Sequence, residues 1–167
     1  SRANVESWVT AVMAKLADIG VTSSSIAVAE VHRINSKLAR AGHVRMFCQT
    51  LDLIARIGAH DMRDGTETEM LSFLTSVASA KNLTGQDMRT WVSQVHAKLQ
   101  VIQITTVKAT VSWTCTLNSE LRLNGLQTMH RQTLDLMARN GVALLLQEPA
   151  RHSLSSSLIS EGPGMDA

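Results

Sequence analysis

The stretch INSKLARAGHVRMFCQTLDLIARIG, residues 34–58, is answered further along the chain by LNSELRLNGLQTMHRQTLDLMARNG, residues 117–141. The match extends backwards to WVTAVMAKLADI at Trp8 and WVSQVHAKLQVI at Trp91. Residues 8–58 lie on residues 91–141 without a gap at an offset of about 83, with roughly 21 identities in 51 positions, where chance gives a handful. The chain therefore reads as two copies of one unit.

Each copy carries helical patterning. Trp8, Val9, Val12, Leu16 and Ile19 fall at steps of three and four, and Trp91, Val92, Val95, Leu99 and Ile102 repeat that stripe. Gly20 stops the first of these helices, and Gln103 stands in its place in the second copy. One of Ser23, Ser24 and Ser25 caps a second helix with Ala27, Val31, Ile34 and Leu38 on its apolar side. Gly42 interrupts it, as Asn124-Gly125 does in the other copy. A third helix is expected over Val44, Phe47, Leu51 and Ile54, with Gly58 at its left-handed C′ position and Asn140-Gly141 doing the same later. After a loop AHDMRDG, Thr66-x-x-Glu69 is a capping box before Met70, Leu71, Phe73, Leu74 and Val77. Its counterpart around ARHSLSSSLIS keeps Leu154, Leu158 and Ile159 but is Ser-rich, which suits a terminal cap or tail.

The expectation is seven helices, eight with that weak one, in an all-α protein of tandem α-hairpins. A first helical unit spans 1–83, a second 84–150, and a capping helix or tail 151–167. Composition agrees. Of 167 residues 44% are apolar but only 3% aromatic, so Leu, Ile, Val, Met and Ala must fill the interior, as in helix-on-helix packing. Both prolines lie in the last twenty residues, leaving the rest free of the strongest helix breaker. An all-β fold is excluded on these grounds.

Within each copy the spacing has a further regularity. Counting from Gly42, apolar residues sit eight before (Ile34), four before (Leu38) and twelve after (Ile54), with Gly58 sixteen after; from Gly125 the same steps give Leu117, Leu121, Met137 and Gly141. This resembles the pentatricopeptide pattern, and AKLADIG resembles the tail of one more hairpin. The resemblance implies a short right-handed solenoid whose concave side meets single-stranded RNA, in an organelle, mitochondrion or plastid. Two departures stand out. The hairpins average about 41 residues against roughly 35 in the family, and its early Tyr is missing. The main base-reading position falls on His32 and Cys115, where the family favours Asn, Ser or Thr, so the base code is not carried over.

Charge and motifs narrow the function. Sixteen Lys and Arg against fourteen Asp and Glu give +2, so RNA contact would need a local patch. Arg33, Lys37, Arg40 and Arg45 form the clearest cluster, with Arg122 and Arg131 in the second copy. Asn35-Ser36 and Asn118-Ser119 are retained polar pairs that either line a groove for a base or peptide or bond to the preceding turn. The most retained block, QTLDLxAR, offers Gln49, Asp52 and Arg56, repeated as Gln132, Asp135 and Arg139. It is either a partner-binding face or a solvated helix side with an i,i+4 Asp–Arg pair. Trp113 has Glu30 as its counterpart and is either a partner contact or a gap filler.

No histidine recurs at the offset, and no zinc, di-iron, GxSxG or phosphate-loop pattern occurs, so neither metal, cofactor nor catalytic residue is expected. Cys48 and Cys115 make no disulfide framework, which suits a reducing compartment. No apolar run approaches the eighteen residues of a membrane span. The start at Ser1 fits a removed targeting peptide or a shortened chain equally. The expected function is a non-enzymatic scaffold, a structural or RNA-associated subunit of an organellar ribonucleoprotein such as a mitochondrial ribosome, bound to neighbouring protein subunits and to single-stranded or ribosomal RNA. The alternatives are a self-assembling subunit of a secretion filament or viral shell, and a protein-only adaptor.

Overall fold

The computed structural model describes residues 1–60, 62 and 66–146. Among them are nine α-helices and no strand, so the chain is all-α. Helix α1 spans Arg2–Asp18, α2 Ser24–Ala29, α3 Ile34–Arg40, α4 Cys48–Ala59 and α5 Glu67–Ala80. Then follow α6 at Gly85–Val101, α7 at Val107–Ser112, α8 at Leu117–Leu123 and α9 at Arg131–Leu145. The starts of α6 to α9 lie 83 residues after those of α1 to α4, as Gly85 does after Arg2. The weak helix expected around Leu154 and Leu158 lies outside the described residues, as does most of the AHDMRDG loop.

Local chemistry explains where the helices begin. Ser23 caps α2 by accepting from the Ile26 amide at 3.3 Å, and Thr106 caps α7 from the Ala109 amide at 3.0 Å. Thr66 accepts from the Glu69 amide at 3.2 Å, so the expected fourth helix is α5. Helix ends depend on a left-handed residue. Gly20 turns α1 with φ +82°, letting the Val21 amide reach Leu16 O at 2.8 Å. Gln103 adopts the same turn after α6 with φ +63° and sends the Ile104 amide to Leu99 O at 2.8 Å, although its Cβ makes that conformation unfavourable.

Three expectations need correction. The second helix is not continuous: a 3-10 turn, Val31–Arg33, separates α2 from α3, and Thr114–Thr116 separates α7 from α8. Val31, Ile34 and Leu38 stay fully buried across the break, which is why their spacing looked uninterrupted. In the second half Thr114 Oγ1 donates to Thr110 O at 2.8 Å, a side-chain competitor at the break itself. The third helix does not include Val44 and Phe47. It starts at Cys48, after an extended stretch that leaves both side chains outside.

Gly58 and Gly141, finally, are not left-handed caps but lie inside α4 and α9. Their role is closeness. A Cβ on Gly58 would overlap Val28 Cγ2 of α2, and one on Gly141 would overlap Val111 Cγ2 of α7. Only a missing side chain lets each short helix lie flat on its long neighbour.

The core has two centres. One gathers Val9, Leu16, Ile34, Leu38 and Ile54 from the first half, and the other Phe73, Leu74, Leu99, Leu121 and Met137 from α5 and the second half. Helix α5, assigned by sequence to the 1–83 unit, packs on α6, α7 and α9. Between the halves, α2 packs on α9 and α4 packs on α7. The same two faces thus meet reciprocally, as in a two-fold interface. No helix among the described residues is long and apolar enough to cross a membrane.

Two substitutions test these points by urea unfolding. Gly58→Ala should lower stability by about 1–3 kcal/mol, with part regained when Val28→Ala is added. Gln103→Gly should raise it by about 0.5–1 kcal/mol, because glycine accepts the left-handed turn without a steric penalty.

Candidate functional site

The polar residues that the halves share converge on the seam between them. Helices α4 and α9 carry Asp52 with Arg56 and Asp135 with Arg139. The ends of α2 and α7 carry Glu30 and Trp113, and the following 3-10 turns carry His32 and Cys115. The break after α2 and α7 aims these four residues at the other half.

Two clusters result, related by the offset. In one, Arg139 Nη2 lies 3.2 Å from Glu30 Oε1, while Asp135 Oδ1 lies 3.4 Å from His32 Nε2. In the other, the Arg56 guanidinium stacks 3.7 Å from the Trp113 ring centre, while the Cys115 thiol donates to Asp52 Oδ1 at 3.7 Å. Each arginine also pairs with the aspartate one turn before it: Arg56 with Asp52 at 2.6 Å and Arg139 with Asp135 at 3.1 Å. The expected i,i+4 pair therefore exists, with its arginines about half exposed and its aspartates turned into the seam. Asp52 and Asp135 are only 14% and 17% exposed. Gln49 and Gln132, by contrast, are exposed and take no part.

The basic cluster divides. Arg33 Nη1 lies 3.6 Å from Glu30 and 3.7 Å from Asp135, and Lys37 Nζ lies 3.6 Å from Glu30. Arg131, from α9, donates to Ser36 Oγ at 3.0 Å. These three cations thus belong to the seam. Arg40, Arg45 and Arg122 are exposed and form no ion pair with another described residue.

Both asparagines bond to the backbone of the loop that follows their helix. Asn35 donates from Nδ2 to Met46 O and accepts at Oδ1 from the Met46 amide, both at 2.7 Å. Asn118 does the same with Met129, again at 2.7 Å. Each amide group thus clamps the loop between two helices, a demand for a donor and an acceptor on one planar group that only Asn or Gln meets. The loop is held from its other side by lysine: Lys15 Nζ donates to Val44 O at 3.4 Å and Lys98 Nζ to Gln127 O at 3.2 Å. Lys15 and Lys98 are identical in the two copies, the one signal by which sequence could have found them.

Burial sets the protonation of the seam. His32, with a side chain 7% exposed, has its pKa lowered from 6.5 to about 4, chiefly by desolvation, against the opposing pull of Asp135 and Glu30. Burial likewise pushes the Cys115 thiol well up, and Asp52 adds to the shift, so this cysteine stays a protonated thiol. Among the described residues no three ligating side chains gather to hold a metal ion. Compared with protein-family models, curated proteins and solved structures, the chain matches none.

A neutral, buried His32 has a signed consequence. The unfolded chain takes up a proton below pH 6.5, whereas the folded one resists until about pH 4. The stability this group contributes is complete above pH 6.5 and drains away as pH falls to about 4. Between pH 7 and 4.5 the loss is on the order of 2–3 kcal/mol. In urea titrations at those two pH values, His32→Gln should lose less stability than the parent by about that amount.

Proposed function

We propose that this chain is a non-enzymatic helical scaffold: two copies of a four-helix unit joined face to face as an internal pseudo-dimer, serving as a structural subunit of a larger assembly. The observation that carries the reading is the use made of the shared polar residues. Asp52, Arg56, Asp135 and Arg139 all hold one half to the other, and Asn35 and Asn118 hold the loops. Polar groups spent in this way build a stiff body with long outer surfaces, the property a scaffold needs.

The two-fold arrangement replaces the right-handed solenoid as the preferred architecture, because reciprocal packing of α2 on α9 and α4 on α7 closes on itself after two copies. The assembly suggested by the pentatricopeptide-like hairpins is an organellar ribonucleoprotein. RNA contact is the second reading, and it is favoured by Arg40, Arg45 and Arg122, whose charges no described partner neutralises.

Gradient sedimentation of the tagged full chain from its own cells tests the scaffold, with and without ribonuclease. The expected result is migration with a particle many times larger than 18.2 kDa. Release by ribonuclease would identify RNA as the tether. Recovery of the whole population as free monomer would overturn the scaffold.

A further inference from the structure

Between the end of α6 and helices α7 and α8 lies an open cavity of about 250 Å³, lined by Ile102, Gln103, Ile104, Ala109, Trp113 and Glu120. The duplication shows what is particular to it. At the offset that relates the halves, Ile102 and Ile104 answer to Ile19 and Val21, so the apolar floor is shared. Three other places differ in kind: Ala109 answers to Ile26, Trp113 to Glu30 and Glu120 to Lys37.

In the first half that place is filled from within the chain. Ile26 supplies a larger side chain than Ala109 does, and Lys37 Nζ lies 3.6 Å from Glu30 Oε2, an ammonium beside a carboxylate on neighbouring helices. In the second half alanine withdraws the bulk, and no lysine of the chain takes the part of Lys37. The carboxylate stands instead at the lysine's own place, on α8, where Glu120 is exposed and forms no ion pair with another described residue. The place of Glu30 carries an indole ring. Arg56 stacks 3.7 Å from the centre of that ring, and the rest of the ring borders the cavity. The cavity thus joins an apolar floor, an aromatic ring and an uncommitted negative charge.

We infer that this cavity is a binding site for an alkylammonium ion, whose charge Glu120 balances as Glu30 balances Lys37, and whose apolar body lies against Ile102, Ile104, Ala109 and Trp113. An anion would be repelled by Glu120, and an uncharged molecule would gain nothing from it. The volume falls below the range of roughly 300–1,000 Å³ that holds drug-sized ligands, which limits the body to a short chain. A free amine and the lysine side chain of a neighbouring protein both carry this chemistry. The site goes beyond the scaffold reading and does not depend on it.

Titration of the purified full chain with butylammonium tests the site, followed through the indole N–H resonance of Trp113, which is identified by its loss in Trp113→Phe. A saturable shift is expected, with pentanol and pentanoate binding at least about tenfold more weakly. Glu120→Gln, a change at an exposed side chain, should weaken butylammonium by about the same factor. Ala109→Ile, which places in the cavity the residue the first half already accommodates, should abolish the shift while urea unfolding stays two-state. Tighter binding of a lysine blocked at both backbone ends than of butylammonium would assign the cation to a neighbouring protein, and weaker binding would assign it to a free amine. A shift that never saturates, equal binding of pentanol, or undiminished binding by Glu120→Gln would each overturn the site.

Discussion

The fold depends on the face-to-face contact of its two halves. Each half by itself is a thin layer: α1 and the short helices α2 and α3 with α4, or α6, α7 and α8 with α9. Such a layer buries one side of α4 and leaves the other edge open. Setting α2 on α9 and α4 on α7 covers both edges at once, and Val28 and Ala59 of the first half join the core of the second. The contact needs two concessions from the sequence. Glycine inside α4 and α9 lets the short helices come close, and the 3-10 turns tilt residues 30 to 32 and 113 to 115 out towards the facing half.

The seam is reciprocal in position but not in chemistry. Arginine and aspartate are kept on both long helices, while what they meet has diverged: Glu30 and His32 on one side, Trp113 and Cys115 on the other. An arginine accepts either partner, because its planar cation pairs with a carboxylate and stacks on an indole. The first cluster is thereby ionic, dense and tied to Arg33, Lys37 and Arg131. The second is nearly neutral, a thiol and an aromatic ring. One seam thus gives two different outer edges, and the uncommitted cations Arg40 and Arg45 lie in the half that supplies Arg33 and Lys37 to the ionic cluster.

Much of this was legible in the chain before any coordinates. The helical stripes, the Thr66 capping box and the offset of 83 residues follow from patterns that local physics imposes, and α1, α5 and α6 stand where they predict. Three things were not legible, each for a definite reason. The break after α2 is silent, since Val31, Ile34 and Leu38 keep helical spacing through it and no Gly or Pro marks it. Gly58 near a helix end suits a left-handed cap as well as a close approach, and only the position of Val28 distinguishes them. The Asp–Arg pairs were visible as i,i+4 neighbours. That they also cross the seam depends on contacts 109 residues apart, as between Glu30 and Arg139, which no local pattern encodes.

Contact on both edges joins the two halves into one cooperative body. Native-state hydrogen exchange of the full chain measures this directly, amide by amide, in α4 and α9. The slowest amides of Leu51 to Ile57 and of Leu134 to Ala138 should open with the same free energy, in a single global event. A first half that opens in its own, weaker event while α9 stays protected would contradict it.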